Sequence, residues 1–323
     1  MRVAQVSKFG GPEVLVTAEA AEPVAGDGEV VIEVAYVDTI FVETQVRSGW
    51  GGEFFPVEPP YVTGSGVAGM VREVGAGVDP GWLGRRVASS EGFTGGSAER
   101  VARAVATLTA VPDEVSLRDA AALVTDSITA LGLVELTAVK PGERVLILGA
   151  SGGMGTLAVQ LAHARDAQVV AVARGERKLA LVRELGADAT VDGADENWPE
   201  RAREVLGAAG ADVVLDGVGG AFGARALPLV ADGGRLSLHG APTGDFADID
   251  PAQAERRGIT VYGIGEMQFG PQDQLRLREA AYEEAAAGRL RPVVGEAFPL
   301  DRAAEAHAAI EGRALVGKVL LEV

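Results

Sequence analysis

The stretch Arg144–Leu161, RVLILGASGGMGTLAVQL, decides the fold. Val145–Leu148 is a short continuous apolar run, the pattern of a parallel strand buried on both faces. The glycine-rich GASGGMG that follows cannot prolong it. From Thr156 the spacing turns helical, with Leu157, Gln160 and Leu161 at i, i+3 and i+4. A strand that turns tightly over Gly149–Gly155 into a helix presents free N–H groups and the positive end of a helix dipole to an anion, and residues without side chains let that anion reach the backbone. Aligned on its last glycine, Ala150–Gly155 reads A-x-G-x-x-G, with alanine in place of the first glycine of the dinucleotide fingerprint. In a chain with 44 glycines such a turn is weak alone. A second strand at the expected distance strengthens it.

That second strand is Gln168–Ala173, QVVAVA. In sites for the unphosphorylated dinucleotide an Asp or Glu follows it and accepts from the ribose 2′-hydroxyl. Here Arg174 follows, with Lys178 four residues on, so two cations are placed for a 2′-phosphate. Two charge-assisted contacts at about 1.5–3 kcal/mol each favour the phosphorylated cofactor by a factor on the order of 10²–10⁴. NADPH is therefore the expected cofactor; Glu176 argues the other way, and a merely solvated helix start is the bland alternative for Arg174, Arg177 and Lys178.

A chain of 323 residues is long enough for two domains. Its 47% hydrophobic and 23% charged residues are those of a soluble globular protein, but only 5% are aromatic, which leaves the packing to Val, Ala and Leu. A net charge of −17 argues against nucleic-acid and anionic-membrane partners and makes any basic phosphate pocket a local exception. The absence of cysteine excludes disulfides, thiol nucleophiles and cysteine-ligated zinc. His163, His239 and His307 are too scattered to suggest a metal site, so none is expected. The N-terminal MRVAQVSKFGG has no signal-peptide core and no apolar run is long enough to span a bilayer, so a cytoplasmic protein is expected.

Up to about Val111 the chain shows no helix-length amphipathic pattern but many short β-rich runs broken by Gly and Pro. RVAQVSKFGGPEVLVTAEA reads as a hairpin, EVVIEVAYV as a strand, and the series through SAERVARAVATLTAVP as a compact β-barrel-like unit. SLRDAAALVTDSITALGLVELTAV is the first long helical pattern, with Ser116 as its N-cap and a second segment from near Thr125. Strands and helices then alternate from RVLILG to GITVYGIG, six strands in all, as a doubly wound parallel sheet requires. After Gly265 come two helices, the second from Asp301 to Gly312, and a terminal strand, KVLLEV. The expected division is 1–122 with 265–323, and 123–264 as the Rossmann NADPH-binding domain, with the cofactor cleft between them.

The chain resembles the medium-chain dehydrogenase/reductase superfamily, in particular its zinc-independent NADPH:quinone oxidoreductase branch. The resemblance runs nearly end to end and is carried by KFGGPEVL, QVRSGW, TGSGVAGMVREVGAGV, GASGGMG, ELGAD, DVVLDGVGG, AEAHAAIEGR and GKVLLEV. It implies an α/β architecture, a GroES-like β-barrel-type catalytic domain beside the Rossmann domain, and often a homodimer. Carried over by position, Thr129 matches a threonine beside the nicotinamide, Ser151, Gly152, Gly153 and Met154 the pyrophosphate turn, and Lys178 a 2′-phosphate ligand. Val218, Gly240 and Ala241 match backbone neighbours of the nicotinamide and its ribose, and Lys318 matches a C-terminal lysine near the cofactor; His239 and Ile264 complete the candidate cofactor-binding residues. Relatives carry Asn-x-x-Asp before the R-S-G segment, where this chain has Ile40 to Glu43; the tyrosine two residues after that carboxylate is Gln45. Glu43, Gln45 and Thr129 are the candidate catalytic residues. The enoyl-reductase tyrosine is replaced around Trp50 and Gly51, and the tyrosine that touches the 2′-phosphate has no counterpart in VDGADENW.

A quinone suits such a site because its reduced oxyanion is delocalised and collects a proton from water. An enone, alkenal or enoyl thioester forms a more basic enolate, for which a positioned acid contributes about 10²–10⁴ in rate. Without an evident tyrosine, quinone reduction ranks first and reduction of an activated C=C bond second. A non-catalytic NADPH-binding protein is the reading from another class. Trp50, Phe54 and Phe55 are an aromatic substrate wall, or else core or a mobile loop.

Overall fold

The computed structural model describes residues 1–52 and 54–323. The chain packs as two compact units, one of residues 1–128 with 271–323 and one of residues 129–270. In the first, β1 (Arg2–Val6) and β2 (Leu15–Glu19) form the hairpin, Arg2 opposite Glu19. Then follow β3 (Glu29–Thr39), α1 (Phe41–Arg47), β4 (Tyr61–Val62), β5 (Gly66–Val74), β6 (Arg86–Ser90), β7 (Arg100–Ala104) and β8 (Leu108–Ala110). Helix α2 (Leu117–Leu123) starts where the Ser116 hydroxyl accepts from the Asp119 N–H at 3.0 Å, and α3 (Asp126–Leu136) follows at once.

The second unit alternates as its sequence dictates: β9 (Arg144–Leu148), α4 (Gly153–His163), β10 (Gln168–Ala173), α5 (Glu176–Glu184), β11 (Ala189–Asp192), α6 (Trp198–Leu206), β12 (Ala211–Asp216), α7 (Gly220–Ala224), β13 (Val230–Leu238), α8 (Pro251–Arg256) and β14 (Thr260–Tyr262). The six strands are parallel in the order β11-β10-β9-β12-β13-β14, the doubly wound order that reverses at the first strand. Leu146, Leu148, Val170, Val172 and Val214 are buried, and each such side chain contributes about 1.5–3 kcal/mol relative to exposure. Leu148 lies opposite Val172 on one side and Asp216 on the other. The turns after β9, β10 and β12 therefore meet at one edge of the sheet.

The chain then returns to the first unit through α9 (Pro271–Ala286), β15 (Val294–Pro299), α10 (Ala303–Glu311) and β16 (Lys318–Glu322). The sheet there runs β15-β16-β3-β5-β6-β8 with β7 on β3, and β2-β1-β4 is a separate sheet. The barrel-type expectation is thus met only loosely: the strand order begins and ends on different strands, so neither sheet closes. Two elements were not legible in the sequence: the seven-residue helix α1, in a region expected to hold only strands, and β15. Among the described residues no helix is long and apolar enough to cross a membrane.

Candidate functional site

Two glycines of the turn from β9 into α4 sit where nothing larger fits. Gly149 has a positive φ of 74°, and a Cβ on Gly155 would stand 2.4 Å from the Gly149 carbonyl oxygen. Gly152 is the N-cap of α4 and supplies no side-chain cap, so the first N–H groups of this eleven-residue helix have no capping side chain. Gly152 is exposed, Gly153 and Met154 are half-buried, and Ser151 is buried. Uncapped N–H groups at a dipole's positive end, with a Cβ-free approach, fit a pyrophosphate.

Beside this turn lie the residues after β12 and β13. Asp216, fully buried, accepts from the N–H groups of Val218 (2.9 Å) and Gly219 (3.0 Å), while its backbone carbonyl accepts from those of His239 and Gly240. Burial raises its pKa and these two N–H groups oppose the rise. Asp216 is a positioning residue the sequence reading passed over, although an Asp ending a strand before GVGG was the available signal. It holds Val218, His239 and Gly240 together; a Cβ on Gly240 would lie 2.1 Å from the Gly217 carbonyl carbon, so this approach needs glycine. His239 Nδ1 is 2.8 Å from Ser237 Oγ, its Nε2 is buried without a hydrogen-bond partner, and burial pulls its pKa down to about 3, which leaves it neutral at pH 7. Met154 and His239 Nε2 both approach Gly217. The structure thus gathers Met154, Val218, His239 and Gly240, with Ala241 next in the chain; Thr129 is half-buried on α3, and Ile264 is 41% exposed just past β14.

At the outer side of the same edge, Arg174 is exposed one residue past β10 and Lys178 is half-buried in the first turn of α5. Asp192 accepts from the Gly175 N–H (3.1 Å) and the Ala194 N–H (2.9 Å), which ties the ends of β10 and β11 together.

In the first unit, the antiparallel pairing of β16 with β3 sets Leu320 opposite Asp38, two residues from Lys318. Lys318 Nζ lies 2.5 Å from Asp38 Oδ1 and 3.1 Å from Asp126 Oδ1, its side chain only 5% exposed. Burial alone would lower the Lys318 pKa, but Asp126 and Asp38 outweigh it and raise it. Burial raises Asp38 against the pull of Lys318. Lys318 is thus held by two carboxylates of its own unit. Glu43, on α1, is buried, and burial followed by the neighbouring Asp38 pushes its pKa up to about 8. Its Oε1 and the Tyr61 hydroxyl are buried without hydrogen-bond partners. At pH 7 Glu43 is a neutral carboxylic acid able to donate a proton.

This has a consequence for stability. Between about pH 4.5 and 8 the folded chain keeps a proton on Glu43 that the unfolded chain has lost, so this residue's contribution to stability is full below 4.5 and is lost as pH rises to 8, by up to about 1.4 kcal/mol per pH unit. Glu43→Gln removes this slope. Urea unfolding at pH 5, 6.5 and 8 checks it: a variant as pH-dependent as the parent would contradict the buried acid.

Gln45 is half-buried two residues on, and the N–H of Trp50 bonds its carbonyl at 3.0 Å. None of Trp50, Phe54, Phe55 and Phe93 is buried: Phe55 meets Phe93 edge-on at 4.4 Å and Trp50 at 6.3 Å, and Phe54 is 72% exposed. These rings lie on surface loops and not in the core; Phe93 was not foreseen.

A doubly wound sheet with this turn defines a dinucleotide-binding unit. Residues 26–113 match the family model described as the alcohol dehydrogenase GroES-like domain, and residues 153–280 the one described as zinc-binding dehydrogenase. The chain is 32% identical over 326 residues to the quinone oxidoreductase of Sus scrofa, covering 99% of this chain and 97% of that one. It is 30% identical over 328 residues to a 2-haloacrylate reductase of Burkholderia sp, covering 98% of each. The crystal structure of Escherichia coli quinone oxidoreductase complexed with NADPH superposes with a TM-score of 0.92 at 26% identity, covering 100% of both chains. The chain is an oxidoreductase of the medium-chain dehydrogenase/reductase superfamily and belongs to its quinone oxidoreductase branch. The chain has no cysteine, and no group of three or more His, Asp or Glu that could hold a metal ion occurs among the described residues.

Proposed function

We propose that the protein is an NADPH-dependent oxidoreductase that transfers hydride to a quinone without a metal. The observation that carries this reading is the uncapped, glycine-lined start of α4 together with Arg174, a cation where an unphosphorylated cofactor would require an acid. When bound, NADPH supplies the hydride from its nicotinamide ring. The N–H groups of Gly153 and Met154 bind the pyrophosphate, Arg174 and Lys178 the 2′-phosphate, and His239 Nε2, neutral and unpartnered, offers the nicotinamide end a donor or an acceptor according to the tautomer that Ser237 selects. Thr129, Val218, Gly240, Ala241 and Ile264 complete the cofactor set. The half-exposed aromatic rings of Trp50, Phe55 and Phe93 suit a planar, apolar substrate. A cytoplasmic homodimer without nucleic-acid or membrane partners belongs to the same proposal; the net charge of −17 supports the absence of those two partners.

Reduction of an activated C=C bond is the second reading, favoured by one feature: Glu43, neutral at pH 7, is an acid of the kind an enolate needs. The 2-haloacrylate reductase relative points the same way. NADPH oxidation against ortho- and para-quinones, 2-alkenals, 2-haloacrylates and enoyl thioesters separates them. Turnover confined to quinones supports the first reading, turnover confined to C=C substrates the second. Arg174→Ala weakens NADPH binding by about 10–100-fold, the loss of one charge-assisted contact, with NADH binding unchanged; equal losses for both would refute the assignment.

A further inference from the structure

The segment between β14 and α9, residues 263–270, is a strap whose two larger apolar side chains return to the parallel sheet and to α3. It leaves β14 where Tyr262 lies opposite Ser237 of β13. A short turn, Ile264–Met267, folds it back, closed by the Glu266 carboxylate, which accepts from the Gly263 N–H at 2.9 Å. Met267 is buried, and its sulfur stands 3.9 Å from Ser237 Oγ, the same hydroxyl that meets His239 Nδ1 at 2.8 Å. Two residues further on, the Phe269 ring fills a notch in α3. A Cβ on Gly132 would lie 2.1 Å from its Cζ and 2.3 Å from its Cε2.

Gly132 sits in the interior of α3, where glycine is a poorer helix former than alanine. The ring accounts for it, since any side chain at 132 would occupy the ring's place. Thr129, three residues earlier, shares this face of the helix and is half-buried. At its other end α3 is fixed to β13 by Arg235, which donates to the Thr137 and Ala138 carbonyls at 2.6 and 3.0 Å. The strap therefore has two anchors: Met267 leads through Ser237 to His239, and Phe269 sits one helical turn from Thr129. Both of those residues are proposed above to neighbour the nicotinamide. A ring packed only as a seal would be fully covered, whereas Phe269 is half-buried.

Resting on the quinone reading above, we infer that this strap is a wall of the substrate site and that Phe269, seated on Gly132, is a specificity residue favouring fused-ring quinones over single-ring ones. A hydride acceptor must lie near van der Waals contact with the nicotinamide, so its ring meets whatever closes that end. Phe269 offers it an aromatic surface for offset or edge-on contact, and an acceptor with a second ring covers more of that surface. Gly132 sets where the surface stands. Alanine there displaces the ring without breaking α3, because the atoms it meets are the far end of a side chain that can swing away.

The test uses the full chain with saturating NADPH and two acceptors, 1,4-naphthoquinone and 1,4-benzoquinone. Wild type prefers the naphthoquinone in kcat/KM. Phe269→Ala lowers that preference about three- to tenfold, through KM for the naphthoquinone and not through kcat, while Phe269→Tyr keeps it and NADPH affinity is unchanged in both. Gly132→Ala lowers the preference likewise, yet adds nothing in the Phe269→Ala background, where the space for its methyl group is already open; a general weakening of the fold would add. A wild type that reduces both quinones equally well, an unchanged preference in Phe269→Ala and Gly132→Ala, or an equal loss for both quinones overturns the wall while the quinone reading stands. A wild type that binds NADPH and reduces neither quinone overturns the quinone reading, and the wall with it.

Discussion

Lys318→Met lowers the free energy of unfolding by about 3–5 kcal/mol, the range for removing one partner of a buried ion pair. Lys318 Nζ stands 2.5 Å from Asp38 and 3.1 Å from Asp126, and its loss leaves the fully buried Asp38 carboxylate without a counter-ion. Because the two aspartates raise the lysine's pKa above its ordinary 10.5, its contribution is complete below that value and is lost only as pH rises through the folded value. The lysine's own ionisation therefore adds no pH dependence from pH 6 to 9, and the deficit shrinks below about pH 6, where Asp38, its pKa raised by burial to about 6, takes up a proton. Denaturant unfolding at pH 7 measures it, and a change below 1 kcal/mol would contradict the buried triad. Asp38→Asn restores part of the loss in the Lys318→Met background, since the charge left stranded is then gone. The folded variant also decides the role proposed for Lys318 near the cofactor: undiminished NADPH affinity makes it structural, and a specific loss of affinity returns it to the binding set.

Gly155→Val abolishes useful cofactor binding, with a loss on the order of 100-fold, equivalent to about 2.7 kcal/mol. A Cβ there would stand 2.4 Å from the Gly149 carbonyl oxygen and 2.9 Å from the Ala150 backbone, neither of which can yield without displacing the turn from β9. Overpacking of this kind also destabilises by about 1–3 kcal/mol. Gly152→Ala is the control. Its Cβ would meet only the Gly149 oxygen, at 3.5 Å, so the fold is unaffected. NADPH titration and thermal melting of both variants read the two effects apart; equal affinities for wild type and Gly155→Val would remove the turn from the site.

The doubly wound unit was legible because its signals are local. An apolar run, a glycine turn and a helical period follow one another within eighteen residues, and Arg174, proposed to read the cofactor, lies directly after the next strand. Ser116 announced α2 in the same way, by a cap three residues from the N–H it satisfies. Helix α1 escaped because it is only two turns long, and its N-cap, Ile40, has no side-chain acceptor. Its identity as a helix matters, since it buries Glu43 and changes that residue from an ordinary carboxylate into a neutral acid.

The sequence by itself determined the order of strands and helices in the parallel-sheet unit, the glycine turn proposed for a pyrophosphate and the sign of the charge beside it, all consequences of side-chain periodicity and backbone freedom over short spans. Only the tertiary structure decided the company each charged group keeps. The pairing of β16 with β3 brings Lys318 to Asp38 across 280 residues, and the winding of three crossovers over one sheet edge stacks Arg174, Phe222, Trp198 and Arg225. Burial and the nearest opposite charge set whether a group is ionised, and both depend on contacts between segments that no local pattern relates.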